Sequence, residues 1–432
     1  MKRNGRVSRR NFVKASAAAG IGYWVAPRTA YALSNSPNEK LNIAMIGTYN
    51  RAAGNLQDVS SQNIVVLCDV DDGFLAKAKE KFPKADTTND FRKAVERKDI
   101  DAVVIATPDH THAVATMAAF HNGKHVYCEK PLTHDVFEAR TVTDTARKLK
   151  KATQLGTQIH ALDNYRRVVE LIETGAIGPV REVFVWNGRD WGGGDRPKET
   201  PPVPKTLHWD LWLGPAPERP YNPTYHPFSW RKWWDFGNGS LGDMGCHYID
   251  VVFWALKLRY PTRVVADAPE SVNPETCPLK LHVEWEFPAR GDLVPVKMHW
   301  YDTGRRPDIL KEKSIPEIGD GVLFVGDKGM LLTNYVTHKL LPDENFKDFK
   351  KPDPYIPKSI GHHAEWIEAC KNGTPTTCQF EYSGPLTESV LLGLVAYRVG
   401  KPIEWDSANL KAVNCPEADE FIRREYRKGW SL

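Results

Sequence analysis

Among the seven cysteines of this 432-residue chain, at positions 68, 128, 246, 277, 370, 378 and 415, no two form a C-x-x-C pair. Their odd number leaves at least one unpaired. Neither a zinc knuckle nor a disulfide scaffold is signalled, and no metal is expected. Beyond Ala32 no apolar run is long enough to span a bilayer, and there is no internal repeat or low-complexity segment. A basic surface is missing too. The formal net charge is +4, but Met1–Ala32 alone carries Lys2, Arg3, Arg6, Arg9, Arg10, Lys14 and Arg28 and no acid, so removing those seven leaves −3 for the remainder. A nucleic-acid partner therefore has no support.

The basic prefix itself is informative. Ser8-Arg9-Arg10-Asn11-Phe12-Val13-Lys14 has the form of a twin-arginine export signal. A weakly apolar stretch, Ala15 to Ala26, follows it, and Ala30-Tyr31-Ala32 has the small-x-small form of a cleavage site. The competing readings are an ordinary secretory signal or a basic disordered arm. The twin-arginine route carries folded proteins, often with a cofactor already locked in. The expectation is a signal peptide over 1–32, the twin-arginine translocase as a transient partner, and a periplasmic or otherwise extracytoplasmic protein that does not insert in the membrane once cleaved.

The remaining length, about 400 residues, exceeds one usual domain, and 41% hydrophobic content suffices for real cores. Short apolar runs at Leu41–Gly47, Ile64–Val70, Ala102–Thr107, His125–Cys128 and near Thr153–Thr157 alternate with helical patterns at Leu75–Phe82, Phe91–Arg97 and 135–150. Strand and helix alternating in this way predict a doubly wound parallel sheet, a Rossmann domain over 33–155, with its ligand crevice at the strand C-termini. Past Gly156, longer strand candidates at Val180–Trp186, Lys280–Phe287, Val294–Tyr301 and Gly321–Phe324 predict an α+β domain over 156–432 with a large, open mixed sheet. Between Trp186 and Trp234 lies a long stretch rich in Pro, Gly and Trp. Trp191, Trp209, Trp212, Trp230, Trp233 and Trp234 fit either stacking on sugar faces or an aromatic anchor for the loop.

Three constellations could carry chemistry. The first strand-helix turn, where dinucleotide folds place G-x-G-x-x-G, reads Gly47-Thr48-Tyr49-Asn50-Arg51-Ala52, so only the first glycine stands. Tyr49 holds the second position, where a side chain crowds the pyrophosphate unless the loop is displaced. Asp69 ends the second strand, where a carboxylate accepts from a ribose diol and repels a 2′-phosphate, which favours NAD over NADP. Next, Thr107-Pro108-Asp109-His110-Thr111-His112 and Glu129-Lys130-Pro131 follow the third and fourth strands and lie on the crevice side. Beside a nicotinamide ring Lys130 could hold a substrate hydroxyl or pass a proton. His110 and His112 lack a third metal ligand. Finally, in Gly237-Asn238-Gly239-Ser240-Leu241-Gly242-Asp243-Met244-Gly245-Cys246-His247-Tyr248-Ile249-Asp250, the spacing puts Asp243, His247 and Asp250 on one helix face. There His247 suits a general base and Asp243 an orienting group, though an exposed polar face gives the same pattern.

These motifs, in this order, resemble those of the glucose-fructose oxidoreductase, inositol dehydrogenase and MocA superfamily (Gfo/Idh/MocA), over nearly the whole chain after the prefix. Glu129-Lys130-Pro131 matches the family's E-K-P, and Gly237 through Asp250 its G-G-G-x-x-x-D-x-G-x-H-x-x-D, with only Asn238 departing. The resemblance implies that Lys130, Asp243 and His247 line the catalytic site and that Asp69 holds the adenosine ribose. It also implies that Gly47, Tyr49, Asn50, Arg51, Thr107, Pro108, His110, His112 and Glu129 border the cofactor, and that the large sheet mediates homo-oligomerisation. Loop position alone nominates Arg231, Trp230, Tyr225, His226 and the Arg189-Asp190-Trp191 segment for substrate. The implied activity is NAD(P)-dependent oxidation, with NADP the less favoured cofactor, of a hydroxyl on a sugar, polyol or glycoside, with a tightly held cofactor recycled in place because free nicotinamide nucleotides are scarce outside the cytoplasm. Two alternatives stay open: an NAD-dependent glycosidase working by oxidation, elimination and re-reduction, similar to exported α-N-acetylgalactosaminidases of this superfamily, and a non-catalytic sugar-binding protein with a decayed dinucleotide turn.

Overall fold

The computed structural model describes residues 40–432. The export signal expected over 1–32 lies outside the described residues. Six strands form the first sheet: β1 (Asn42–Ile46), β2 (Asn63–Cys68), β3 (Asp86–Thr88), β4 (Ala102–Ile105), β5 (His125–Cys128) and β6 (Thr153–Leu155). They lie in the order β3-β2-β1-β4-β5-β6, and every pair is parallel. The order reverses between β1 and β4, which is where such sheets bind their ligands.

The central strands carry apolar residues on both faces because helices cover both. Ala44, Ile46, Val103 and Ile105 pack on one side with Ala113, Phe120, Val142 and Ala146. Ile43, Met45, Val104 and Tyr127 pack on the other with Leu56, Leu75, Trp366 and Ile367. Trp366 and Ile367 come from the helix His362–Asn372, so chain from far beyond Gly156 returns to complete the first domain's core.

Nine strands form the second sheet: β7 (Val180–Trp186), β8 (Arg263–Asp267), β9 (His282–Phe287), β10 (Val296–Tyr301), β11 (Gly321–Gly326), β12 (Gly329–Thr333), β13 (His338–Leu341), β14 (Ile403–Asp406) and β15 (Lys411–Ala412). Their order is β13-β12-β11-β7-β10-β9-β8-β14-β15, with β7 and β10 parallel and the other neighbours antiparallel. Alternation sends Val183, Val185, Val283, Trp285, Met298 and Trp300 against the helices Asp163–Glu173, Asp250–Leu256 and Phe380–Val399. The opposite face bears a ring ladder: Phe184 stacks on His299 at 4.8 Å, and His282 stacks on Tyr301 at 4.6 Å.

The helix Phe380–Val399 also packs on Val136–Leu149, which covers the first sheet. The two approach at Gly384, where an added Cβ would lie 1.9 Å from the Thr143 hydroxyl. Gly384→Ala is therefore expected to force the helices apart and cost about 1–3 kcal/mol. Urea unfolding of the variant should show a lower midpoint, and a midpoint equal to wild type would contradict this packing.

Candidate active site

A crevice of about 370 Å³ opens at the C-terminal ends of β1, β2, β4 and β5, roofed by the helix Gly239–Tyr248 and the aromatic loop before it. The sharpest feature on its wall is ionic. The Lys130 ammonium donates to the Asp243 carbonyl at 2.6 Å and to its Oδ1 at 2.7 Å. Arg231 Nε donates to the same Oδ1 at 3.1 Å and the Trp191 indole to Oδ2 at 3.0 Å. Burial works against the Asp243 carboxylate, but Lys130 and Arg231 outweigh it and hold the group well below the usual carboxylate range. The Arg231 guanidinium is in turn stacked over Trp230 at 4.3 Å and Phe228 at 4.8 Å.

His247 lies one helical turn beyond Asp243 and lines the same crevice. Burial, with Lys130 nearby, pushes its imidazole well below the ordinary value, so it is neutral near pH 7. Its Nδ1 is buried with no hydrogen-bond partner among the described residues, and its carbonyl accepts from the Tyr165 hydroxyl at 3.0 Å. The chain stays helical through Ile249, but Asp250 does not line the crevice: it is fully buried, accepting from His160 Nδ1 at 2.8 Å and the Tyr382 hydroxyl at 2.7 Å.

The first turn bears on whether a dinucleotide fits. Gly47 has φ +89°, and a Cβ there would meet the Ala106 carbonyl at 2.5 Å. Asn50, not Tyr49, takes the other positive φ (55°), a conformation that costs a non-glycine residue about 1–3 kcal/mol. The Tyr49 ring is thereby turned aside: it is 47% exposed and stacks flat on Phe74 at 4.0 Å. It forms a wall of the crevice instead of filling it. The helix Arg51–Asp58 starts behind the turn with no side-chain cap on its N-terminus, an arrangement suited to a pyrophosphate.

Asp69 lines the crevice while accepting from the Thr48 N–H and hydroxyl, both at 2.8 Å, and from the Asp71 N–H at 3.0 Å. A carboxylate has about four acceptor sites, so one remains for a ribose hydroxyl. Glu129 is occupied by Arg51 at 3.0 Å and Asn55 at 2.9 Å, tying β5 to the first helix. These residues fit a dinucleotide with an unphosphorylated ribose.

The structure also gathers Arg51, Thr107, Pro108, Trp191, His226 and Trp230 at the crevice. Three expected residues lie elsewhere. His110 has its ring nitrogens at 3.3 Å from the Phe236 carbonyl and 2.8 Å from that of Trp212. His112 meets the carbonyls of Pro131 at 2.7 Å and Thr107 at 2.9 Å. Both imidazoles fasten backbone and touch no ligand space. Tyr225 is buried in an aromatic cluster with Trp212, Trp233 and Phe236. Within the tryptophan-rich loop Trp233 and Trp234 are buried anchors, while Trp191, Trp212 and Trp230 line the crevice.

Asp109, Gln158 and Phe74 line the crevice and were not singled out by sequence. Asp109 sits inside the T-P-D-H-T-H string that the flanking histidines dominated. Burial pushes its carboxyl up to about 7, against the pull of Arg231 and Lys130.

Two profiles of one oxidoreductase family match the chain: the NAD-binding Rossmann fold over residues 41–157 and the C-terminal alpha/beta domain over 166–287. The chain belongs to this Gfo/Idh/MocA oxidoreductase family, and its first domain is an NAD-binding Rossmann domain. It is similar to a levoglucosan dehydrogenase of Pseudarthrobacter phenanthrenivorans, 26% identical over 187 residues that cover 43% of this chain and 40% of that protein. It is likewise similar to a glycosyl hydrolase family 109 protein of Saccharopolyspora erythraea, 26% identical over 268 residues, 55% of this chain and 53% of that protein. The chain thus spans about half the length of these curated relatives. In fold it is similar to the WlbA dehydrogenase of Bordetella pertussis, solved with NADH and UDP-GlcNAcA, at a TM-score of 0.61 and 14% identity, covering 85% of this chain and 99% of that one.

The ion cluster sets an acid limit on stability. Asp243 titrates below its unfolded value of about 3.9. Its contribution is therefore fully present above that value and is lost as the pH falls through the lower folded one. Removing a cation with Lys130→Met should raise the folded value and move acid unfolding, followed by circular dichroism, to higher pH than in wild type. Coincident acid midpoints would show that the cluster does not hold the carboxylate.

Proposed function

We propose that this protein is an exported NAD-dependent oxidoreductase that acts on a hydroxyl of a sugar, polyol or glycoside and keeps its cofactor through the catalytic cycle. The observation that carries this reading is the meeting of a neutral imidazole, His247, with the Lys130–Asp243 pair in the crevice that the dinucleotide turn also borders. Bound NAD would supply the hydride acceptor. Two of the three ammonium protons of Lys130 are directed to Asp243, leaving one for the substrate oxygen. His247, uncharged and within the same wall, accepts the hydroxyl proton as the carbon is oxidised. Asp243 stays ionised throughout and keeps the Lys130 side chain oriented. Trp191, which lines the crevice and is partly exposed, offers apolar contact to the C–H face of a sugar ring.

Retention of the cofactor is supported by how the second-domain loop closes over the end of β2. His208 N–H donates to the Val70 carbonyl at 2.9 Å and Asp72 N–H to that of Thr206 at 2.9 Å, so the loop is stitched across the place where an adenosine would lie. Such a strap slows exchange of a bound nucleotide. It accords with export through the twin-arginine route as a homo-oligomer loaded before translocation. The similarity to a levoglucosan dehydrogenase supports a carbohydrate or polyol substrate.

A second reading, redox-neutral cleavage of a glycosidic bond, is favoured by the additional acid Asp109 in the crevice and by the similarity to a glycosyl hydrolase family 109 protein. An aryl glycoside separates the two, since only cleavage releases the phenol. The sugar-binding alternative is the weakest, because a binder has no need of the Lys130, Asp243 and His247 set.

Acid denaturation and filtration of the purified protein should release NAD in near-equimolar amount, read from the ultraviolet spectrum. His247→Gln should lower sugar-dependent reduction of that NAD by about 10²–10⁴-fold in stopped-flow absorbance. A filtrate without nucleotide, or a variant as fast as wild type, would overturn the reading.

A further inference from the structure

Oxidising one carbon requires one proton acceptor, and this crevice has more than one. Asp109 opens the short turn Asp109–Thr111 directly after β4 and Pro108, on the wall formed by the Rossmann sheet. It is 3% exposed. Among the described residues its side chain has one hydrogen bond, from Asn238 Nδ2 to Oδ2 at 3.3 Å, so most of its acceptor capacity is unused on a residue that lines the crevice.

The other buried carboxylates are occupied. Glu129 takes Arg51 and Asn55, Asp135 caps the helix Val136–Leu149, and Asp250 takes His160 and Tyr382. Asp243 is locked in its charged form by two cations and cannot exchange a proton. The charged groups facing Asp109 are Arg231 from the aromatic loop, Lys130 from the end of β5 and Asp243 from the helix Gly239–Tyr248.

Asn238 stands between Gly237 and Gly239 at the start of the helix Gly239–Tyr248. A Cβ on Gly242 would lie 2.2 Å from the Asn238 Cβ, so the asparagine fits only because Gly242 has no side chain. An amide at this point orients the Asp109 carboxyl without adding charge.

We propose that Asp109 is a catalytic acid–base residue that exchanges a proton with the substrate carbon adjacent to the one being oxidised. This rests on the redox reading above. Once a carbonyl stands at the oxidised carbon, the neighbouring C–H is acidified. The Asp109 carboxylate takes that proton, and the C–H electron pair moves to form an enediolate. Where the next carbon carries an oxygen leaving group, the pair instead forms a C=C bond as the C–O bond breaks, and the departing oxygen keeps its electrons and takes a proton from solvent water, which the water that later adds gives back. Addition of water and return of the proton from Asp109 reverse the sequence. The substrate class is a glycoside or anhydrosugar with a hydroxyl two carbons from its anomeric C–O bond. Burial raises the Asp109 carboxyl to about 7, so both its forms are present at neutral pH, as a group that takes and returns a proton needs.

The test uses the full protein as purified, in D₂O, with levoglucosan and a set of p-nitrophenyl glycosides as probes. Hydride transfer is read from near-ultraviolet absorbance and deuterium uptake at the adjacent carbon from proton NMR. Wild type should do both, and in Asp109→Asn the ratio of deuterium uptake to hydride transfer should fall about 100-fold or more. An unchanged ratio, or equal loss of both signals, overturns the assignment. No hydride signal and no released NAD in wild type overturns the redox reading itself and this assignment with it. Independently of any substrate, ¹³C-aspartate NMR should show a carboxyl titrating near neutrality that is missing from the variant. Its absence from wild type also defeats the proposal.

Discussion

The site depends on one charge cluster drawn from two distant parts of the chain. Lys130 stands at the end of the Rossmann strand β5 and Asp243 within a helix of the second domain, and their contact at 2.7 Å fixes how the two walls of the crevice face each other. Arg231 joins from the aromatic loop at 3.1 Å. Both side chains of the Lys130–Asp243 pair are mostly withdrawn from solvent, so breaking it would strand a charge in a poorly solvated place, a cost well above that of losing a surface pair. The cluster is thus at once a contact between the two domains and the electrostatic setting for His247, which is kept uncharged by burial and by the lysine beside it.

Around this contact the crevice divides its labour. The sheet ends and the turn at Gly47 provide a backbone cradle, while the second domain provides the imidazole, the aromatic faces and the strap over β2. The strained Asn50 belongs to the same design: it lets Tyr49 turn outward onto Phe74, and the wall so formed continues toward Asp69. Asp109, held by the Asn238 amide, adds a further ionisable group on the Rossmann wall.

Much of this was legible in the sequence. The apolar runs at β1, β2, β4 and β5 stand out because strands covered on both faces are almost purely apolar. Lys130, Asp243 and His247 were found from their motifs: the strand end placed Lys130 beside the crevice, and the family resemblance alone brought the helix-borne Asp243 and His247 to it. β3 escaped notice because it is only Asp86–Thr88, polar and largely solvent-facing, and is held by pairing with β2 alone. Strands β8 and β12 to β15 were missed because each is only two to five residues long, too short for alternation to stand out. No local pattern could show that Trp366 and Ile367 return to the first sheet, since that contact is set by global packing. The histidines at 110 and 112 misled because spacing cannot tell a ring that faces a ligand from one that binds backbone carbonyls. Asp109 was overlooked beside them, although the departure at Asn238, its partner, was visible all along.

The most direct test of the central claim is a diffraction structure of the protein as isolated, soaked briefly with a sugar substrate. The account predicts a dinucleotide lying from Asp69 to Lys130, with the sugar's reacting carbon between the pyridine ring and His247 and its hydroxyl within hydrogen-bond reach of both His247 and Lys130. A crevice without nucleotide, or a sugar seated with no hydroxyl near His247, would contradict it.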